Sequence, residues 1–133
     1  MVRTQVTPLD APNAPPKRFV RVANGALATS GDVFQNLEIN GRRYSHIVDP
    51  HTGVGLTDHS LVTVIVKDAA TADGLSTAVS VLGPEAGLRL AQKIPGAAAH
   101  IVRKPDDKIE VFETDNFKQF DDQAAPAENE KGR

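Results

Sequence analysis

The stretch "HSLVTVIVKD" (residues 59–68) leaves this chain the least freedom, because it runs straight into "AATADGLSTAVSVLG" (69–83). The first segment is β-branched and nearly continuous in apolar residues, the pattern of a strand buried on both faces. In the second the period changes. Ala72, Leu75, Val79 and Leu82 recur at helical spacing, and the pattern assigns Asp73, Ser76, Thr77 and Ser80 to the opposite face. Gly83 is read as a left-handed stop, and Pro84 starts a second helix, "PEAGLRLAQKI", that ends at Pro95-Gly96.

Hairpins flank this pair of helices. "RFVRVANGALATSGD" begins with a short strand and an Asn24-Gly25 turn. "QNLEINGRRYSHIVD" alternates Leu37 and Ile39, then turns at Asn40-Gly41, a type I′ signature, and leaves the sheet at Asp49-Pro50. "AAAHIVRKPDDKIEVFE" predicts another hairpin around Asp106-Asp107, and "NFKQF" a short aromatic turn. The fold class expected is α+β, antiparallel hairpins and sheet packed with two helices. Residues 1–18, with four prolines between Pro8 and Lys17, read as a linker-like segment; 19–120 form the domain; 121–133 are polar and expected to be disordered.

Composition narrows the function. The chain has 133 residues, 40% hydrophobic and 24% charged, a globular balance able to bury a modest core. A net charge of -2 carries no electrostatic footprint for nucleic acid, so no nucleic-acid partner is expected. The absence of cysteine excludes a disulfide framework, a thiolate zinc site and a cysteine nucleophile on this chain. The start lacks a secretory h-region, and no apolar run approaches the roughly 18 residues of a membrane span.

Three features could carry chemistry. Asp73 and Thr77 lie four apart on a helix and offer hard oxygen donors from one face, suited to Mg²⁺. An Asp favoured by the helix dipole and a Thr on a solvated face explain the same residues without a metal. "ATSGD" (28–32) is small and hydroxyl-bearing, able to bring backbone amides close to phosphate oxygens, or to serve as a plain turn between strands. "YSHIVDPHTGVG" (44–55) holds His46, Asp49 and His51, a set short of the four ligands of a closed zinc site and equally a turn after a hairpin strand. His59 and His100 are explained by strand edges.

In this order, "ALATSGD", "RRYSHIVDPHTG" and "VTVIVKDAATADGLSTAVSVLGPEAGL" resemble the FAD:protein FMN transferase family, ApbE. The family pattern HxI(D/N)PxTG stands as His46, Ile47, Asp49, Pro50, Thr52 and Gly53, and ADxLST as Ala72, Asp73, Leu75, Ser76 and Thr77. The resemblance implies a Mg²⁺-dependent enzyme that splits FAD, its substrate. It joins the FMN part to a Thr or Ser hydroxyl of a flavin-acceptor protein and releases AMP. It implies Asp73 and Thr77 as metal ligands and His46 as the catalytic group. Thr29, Ser30, Gly31, Asp49, Pro50, Thr52 and Gly53 would then line the flavin and its pyrophosphate. It also implies the C-terminal part of the ApbE fold, completed by an N-terminal half that this chain does not match, and a periplasmic or inner-membrane location. His51 departs from a basic residue common in the family, and Gly74 from an alanine. The rival readings are a non-catalytic flavin-binding fragment and a pyrophosphatase giving FMN and AMP.

Overall fold

The computed structural model describes residues 1–6, 9, 18–31 and 36–122. Most of the proline-rich segment, Asp32 of "ATSGD" and residues 123–133 of the expected tail lie outside the described residues. The elements in chain order are β1 (Val2–Gln5), β2 (Phe19–Val22), β3 (Ala26–Gly31), β4 (Asn36–Ile39) and β5 (Arg42–Ser45). Then follow β6 (Ser60–Val66), α1 (Ala69–Leu82), α2 (Pro84–Lys93), β7 (Ala98–Arg103) and β8 (Glu110–Glu113), with 3₁₀ turns at Pro105–Asp107 and Asp115–Phe120. The α+β class holds. Among the described residues no helix is long and apolar enough to cross a membrane.

Strand β6 organises the molecule. It is buried along its whole length, as its β-branched sequence requires, and lies inside an antiparallel sheet ordered β3-β6-β7-β8. Side chains alternate between the two faces of a strand, so one set points each way. Val62, Val64 and Val66, with Ala97, Ala99 and Ile101, pack against Ala72, Leu75 and Val79 of α1 and Ala91 of α2. Ile65 and Ala98 face the other way, onto Val6, Val20, Val22 and Phe117. Helices therefore cover one face, and the β1-β2 pair with the second 3₁₀ turn covers the other.

The hairpin readings hold at their turns. Asn40 and Gly41 both take positive φ between β4 and β5, which form a two-stranded sheet of their own. Asp106 and Asp107 do the same between β7 and β8.

Five expectations are corrected. "ATSG" is no turn: it lies in β3, paired residue by residue with β6, which supplies a partner that local composition cannot reveal. Ser76 is not on the solvated face but fully buried, because it stands four residues after Ala72 and three before Val79, on the packed stripe. Leu82 is 48% exposed, since the α1–α2 contact closes on Val79 against Gly87 instead. Gly83 has φ 80° and ψ 178°, positive but extended rather than left-handed helical. His100 occupies β7, an interior strand and no edge. In addition, β1 forms within the segment read as linker-like. Asp121 and Asp122, at the start of the polar tail, pair with Arg18 and with Arg3 and Arg21.

Candidate functional site

The helix that carries Asp73 is fixed at its start. Asp68 caps α1 from an extended conformation, its carboxylate accepting from the Thr71 backbone N–H and hydroxyl at 2.9 Å each. These two hydrogen bonds hold the Asp68 carboxyl below its ordinary range. Asp73 is the fifth helical residue, past the first turn where the dipole favours an acid, so capping does not explain it. Its exposed carboxylate has no hydrogen-bond or ion-pair partner among the described residues.

Thr77 follows one turn on. Its hydroxyl donates to the Asp73 carbonyl at 3.2 Å and lies 3.3 Å from Ser30 Oγ. Ser76 donates to the same carbonyl at 2.9 Å and meets Ser30 Oγ at 2.7 Å. Strand alternation produces this meeting: Ala26, Ala28 and Ser30 face α1, whereas Leu27 joins the opposite core and Thr29 shares its side. "ATSG" and "DGLST" thus converge on three hydroxyls beside one carboxylate. Thr29 stands apart from them. Gly31 has a packing reason for being glycine, since a Cβ there would lie 2.5 Å from the Ser60 carbonyl oxygen.

The donor set fits a hard divalent cation. A carboxylate and a hydroxyl supply two ligands, and Mg²⁺ characteristically takes one or two protein carboxylates and fills its octahedron with water and phosphate oxygens. Among the described residues no three His, Cys, Asp or Glu side chains group as a complete metal site. The pair alone offers two of the ligands that such an ion would need.

The second neighbourhood follows β5. Ser45 N–H donates to the Leu56 carbonyl and Leu56 N–H to the Ile47 carbonyl, so the chain doubles back on itself. Between these points Asp49 accepts from Thr52 and Gly53 through its carbonyl and from His51 N–H through its carboxylate at 2.9 Å. Thr52 Oγ1 accepts from Val54 N–H, and Gly53 has φ +69°. Asp49 and Thr52 therefore spend their side chains on the loop's own shape. Pro50 and His51 are exposed at its tip.

His46 is exposed at the base of this loop and lines an open cleft of about 500 Å³ with Leu37, Tyr44, Ser45, Val48 and Gly55. The sequence gives Leu37, Tyr44 and Val48 no site role of their own. The signal for Leu37 and Tyr44 was their pairing across the hairpin, which follows from the Asn40-Gly41 turn. For Ser76 it was the four-residue step from Ala72.

The sequence profile of the ApbE family matches residues 5–101. An FAD:protein FMN transferase of Vibrio cholerae is 42% identical over 105 residues, covering 78% of this chain and 31% of its own length. The protein of the same name from Escherichia coli K12 is 34% identical over 115 residues, covering 85% and 32%. Among solved structures, the apo flavinyl transferase ApbE of Pseudomonas stutzeri superposes with a TM-score of 0.63 at 42% identity, over 77% of this chain and 32% of that one. The ApbE protein of Thermotoga maritima gives 0.73 at 30% identity, over 92% and 38%. The chain thus spans about a third of the length of these relatives, a smaller share than the half expected.

Proposed function

This chain belongs to the ApbE family, and from that premise we propose that it supplies one wall of a Mg²⁺-dependent FAD:protein FMN transferase. The observation that carries the reading is the convergence of "ATSG" and "DGLST" at Ser30, Ser76 and Thr77, beside the uncommitted carboxylate of Asp73. On this reading Asp73 and Thr77 hold Mg²⁺. The ion, when bound, neutralises charge on the pyrophosphate and helps align it for in-line displacement. Its remaining ligands would be left to pyrophosphate oxygens, water and the part of the family fold this chain does not span.

The reaction balances without a further reactant. The hydroxyl oxygen of an acceptor Thr or Ser bonds to the FMN phosphorus, the P–O bond to AMP breaks, and AMP leaves. The acceptor's proton needs a base, and we assign that role to His46, because a histidine is the side chain most often used as a general base and this one lines an open cleft. The flavin-facing role of the Asp49–Gly53 loop rests on its backbone, since Asp49 and Thr52 side chains are engaged locally.

The test is product analysis. The chain is combined with the portion of a longer relative that it does not span, and incubated with FAD, Mg²⁺ and an acceptor protein. In-gel flavin fluorescence on the acceptor is expected, lowered roughly 10²–10⁴-fold by His46→Ala with little change in FAD affinity. Free FMN with AMP and an unlabelled acceptor would make the protein a pyrophosphatase. No turnover in that mixture would overturn the transferase reading.

A further inference from the structure

The three hydroxyls between β3 and α1 form a chain whose protons can be assigned, and the assignment bears on what Thr77 offers a ligand. The Asp73 carbonyl can only accept, so the Ser76 proton must lie on the 2.9 Å contact to it. Ser76 Oγ then has only lone pairs left for its 2.7 Å contact with Ser30, and the Ser30 proton must point at Ser76. With that proton committed, Ser30 can only accept from Thr77, 3.3 Å away, and the Asp73 carbonyl at 3.2 Å also only accepts. Either way the Thr77 proton is drawn inward.

We propose that Ser76, acting through Ser30, is a positioning residue that turns the lone pairs of Thr77 outward, making this hydroxyl an electron-pair donor to a cation. The inference rests on the proposed metal role of Asp73 and Thr77. Ser76 is fully buried and touches no ligand itself; its burial keeps solvent from offering Ser30 an alternative acceptor on that side. Without Ser76, the Ser30 proton is released toward Thr77, so Ser30 no longer accepts from it and only the longer 3.2 Å contact with the Asp73 carbonyl holds the Thr77 proton inward. Hydrogen-bond partners that orient a metal ligand commonly change affinity by about 10–100-fold when removed.

The experiment is a Mn²⁺ titration of the ¹⁵N-labelled 133-residue chain, reading paramagnetic broadening of amide signals around Asp73 and Thr77. Wild type is expected to show localised, saturable broadening that Asp73→Ala abolishes. Ser76→Ala should weaken the apparent Kd by about tenfold or more, with a dispersed, native spectrum. Ser30→Ala should weaken it too, and Ser30→Thr, which keeps a γ-hydroxyl, should restore it. If Ser76→Ala and Ser30→Ala titrate like wild type while Asp73→Ala is silent, the metal reading stands and the positioning role is overturned. If wild type shows no localised broadening, the inference falls, whereas the metal reading, whose remaining ligands would lie outside this chain, is decided separately by the Mg²⁺ dependence of AMP release in the combined protein. If Ser76→Ala loses affinity only where its spectrum has collapsed, and Ser30→Ala is unaffected, the role is structural and the inference is wrong.

Discussion

His100 sits inside β7, tilted against Phe117 with ring centroids 5.3 Å apart, and its buried Nδ1 has no hydrogen bond among the described residues. Burial lowers its pKa below the ordinary histidine value, and the Arg18 cation lowers it further, against the opposing carboxylates of Glu113 and Asp121. The folded state therefore holds His100 neutral where the unfolded chain would take up a proton. Its contribution to stability is complete above the unfolded value of about 6.5 and is lost as pH falls through the lower folded value. We expect the melting temperature of the chain to fall from pH 7 toward pH 5. The His100→Leu variant should fall less over the same interval, and an identical slope in the two proteins would remove His100 as the cause.

At the scale of elements, helix α1 shows what local sequence can and cannot settle. Its start at Asp68 and its end before Pro84 follow from capping and proline rules. Its buried stripe includes Ser76, whose hydroxyl suggests solvent while its spacing from Ala72 and Val79 turns it inward. The role of β3 was illegible for a different reason: in "ATSG" only threonine favours a strand, alanine and glycine are depleted there, and β6, at least thirty residues on, makes the strand. Two helical glycines separate propensity from packing. Around Gly74 nothing lies within 4 Å of an added Cβ, so Gly74→Ala should stabilise the chain by about 0.5–1 kcal/mol. At Gly87 an added Cβ would lie 2.7 Å from Val79 Cγ1 and 3.1 Å from its carbonyl oxygen, so Gly87→Ala should cost about 1–3 kcal/mol. Urea unfolding of both variants checks the pair; equal shifts would mean that the α1–α2 contact is loose.

For the whole molecule, the legible part was the part set by strong local pattern: the doubly buried strand, the glycine and aspartate hairpin turns, and the two helices. The closure of its ends was not legible, because it depends on long-range ion pairs. Arg3 and Arg21 meet Asp122, and Arg18 meets Asp121 and Glu113, fastening β1 and β2 to the end of β8 and to the segment after the second 3₁₀ turn. The candidate site divides the same way. Its helical oxygen pair was readable from a four-residue spacing, whereas the serine that meets it came from a strand assembled at long range.

The central claim is that Asp73 and Thr77 bind the Mg²⁺ on which FAD cleavage depends. The most direct measurement is AMP release from FAD across a Mg²⁺ titration, with wild type and Asp73→Ala each combined with the portion of a longer relative that the chain does not span. The account predicts saturable, Mg²⁺-dependent release in wild type and none in Asp73→Ala at any Mg²⁺ concentration. The same Mg²⁺ dependence in both proteins would contradict it.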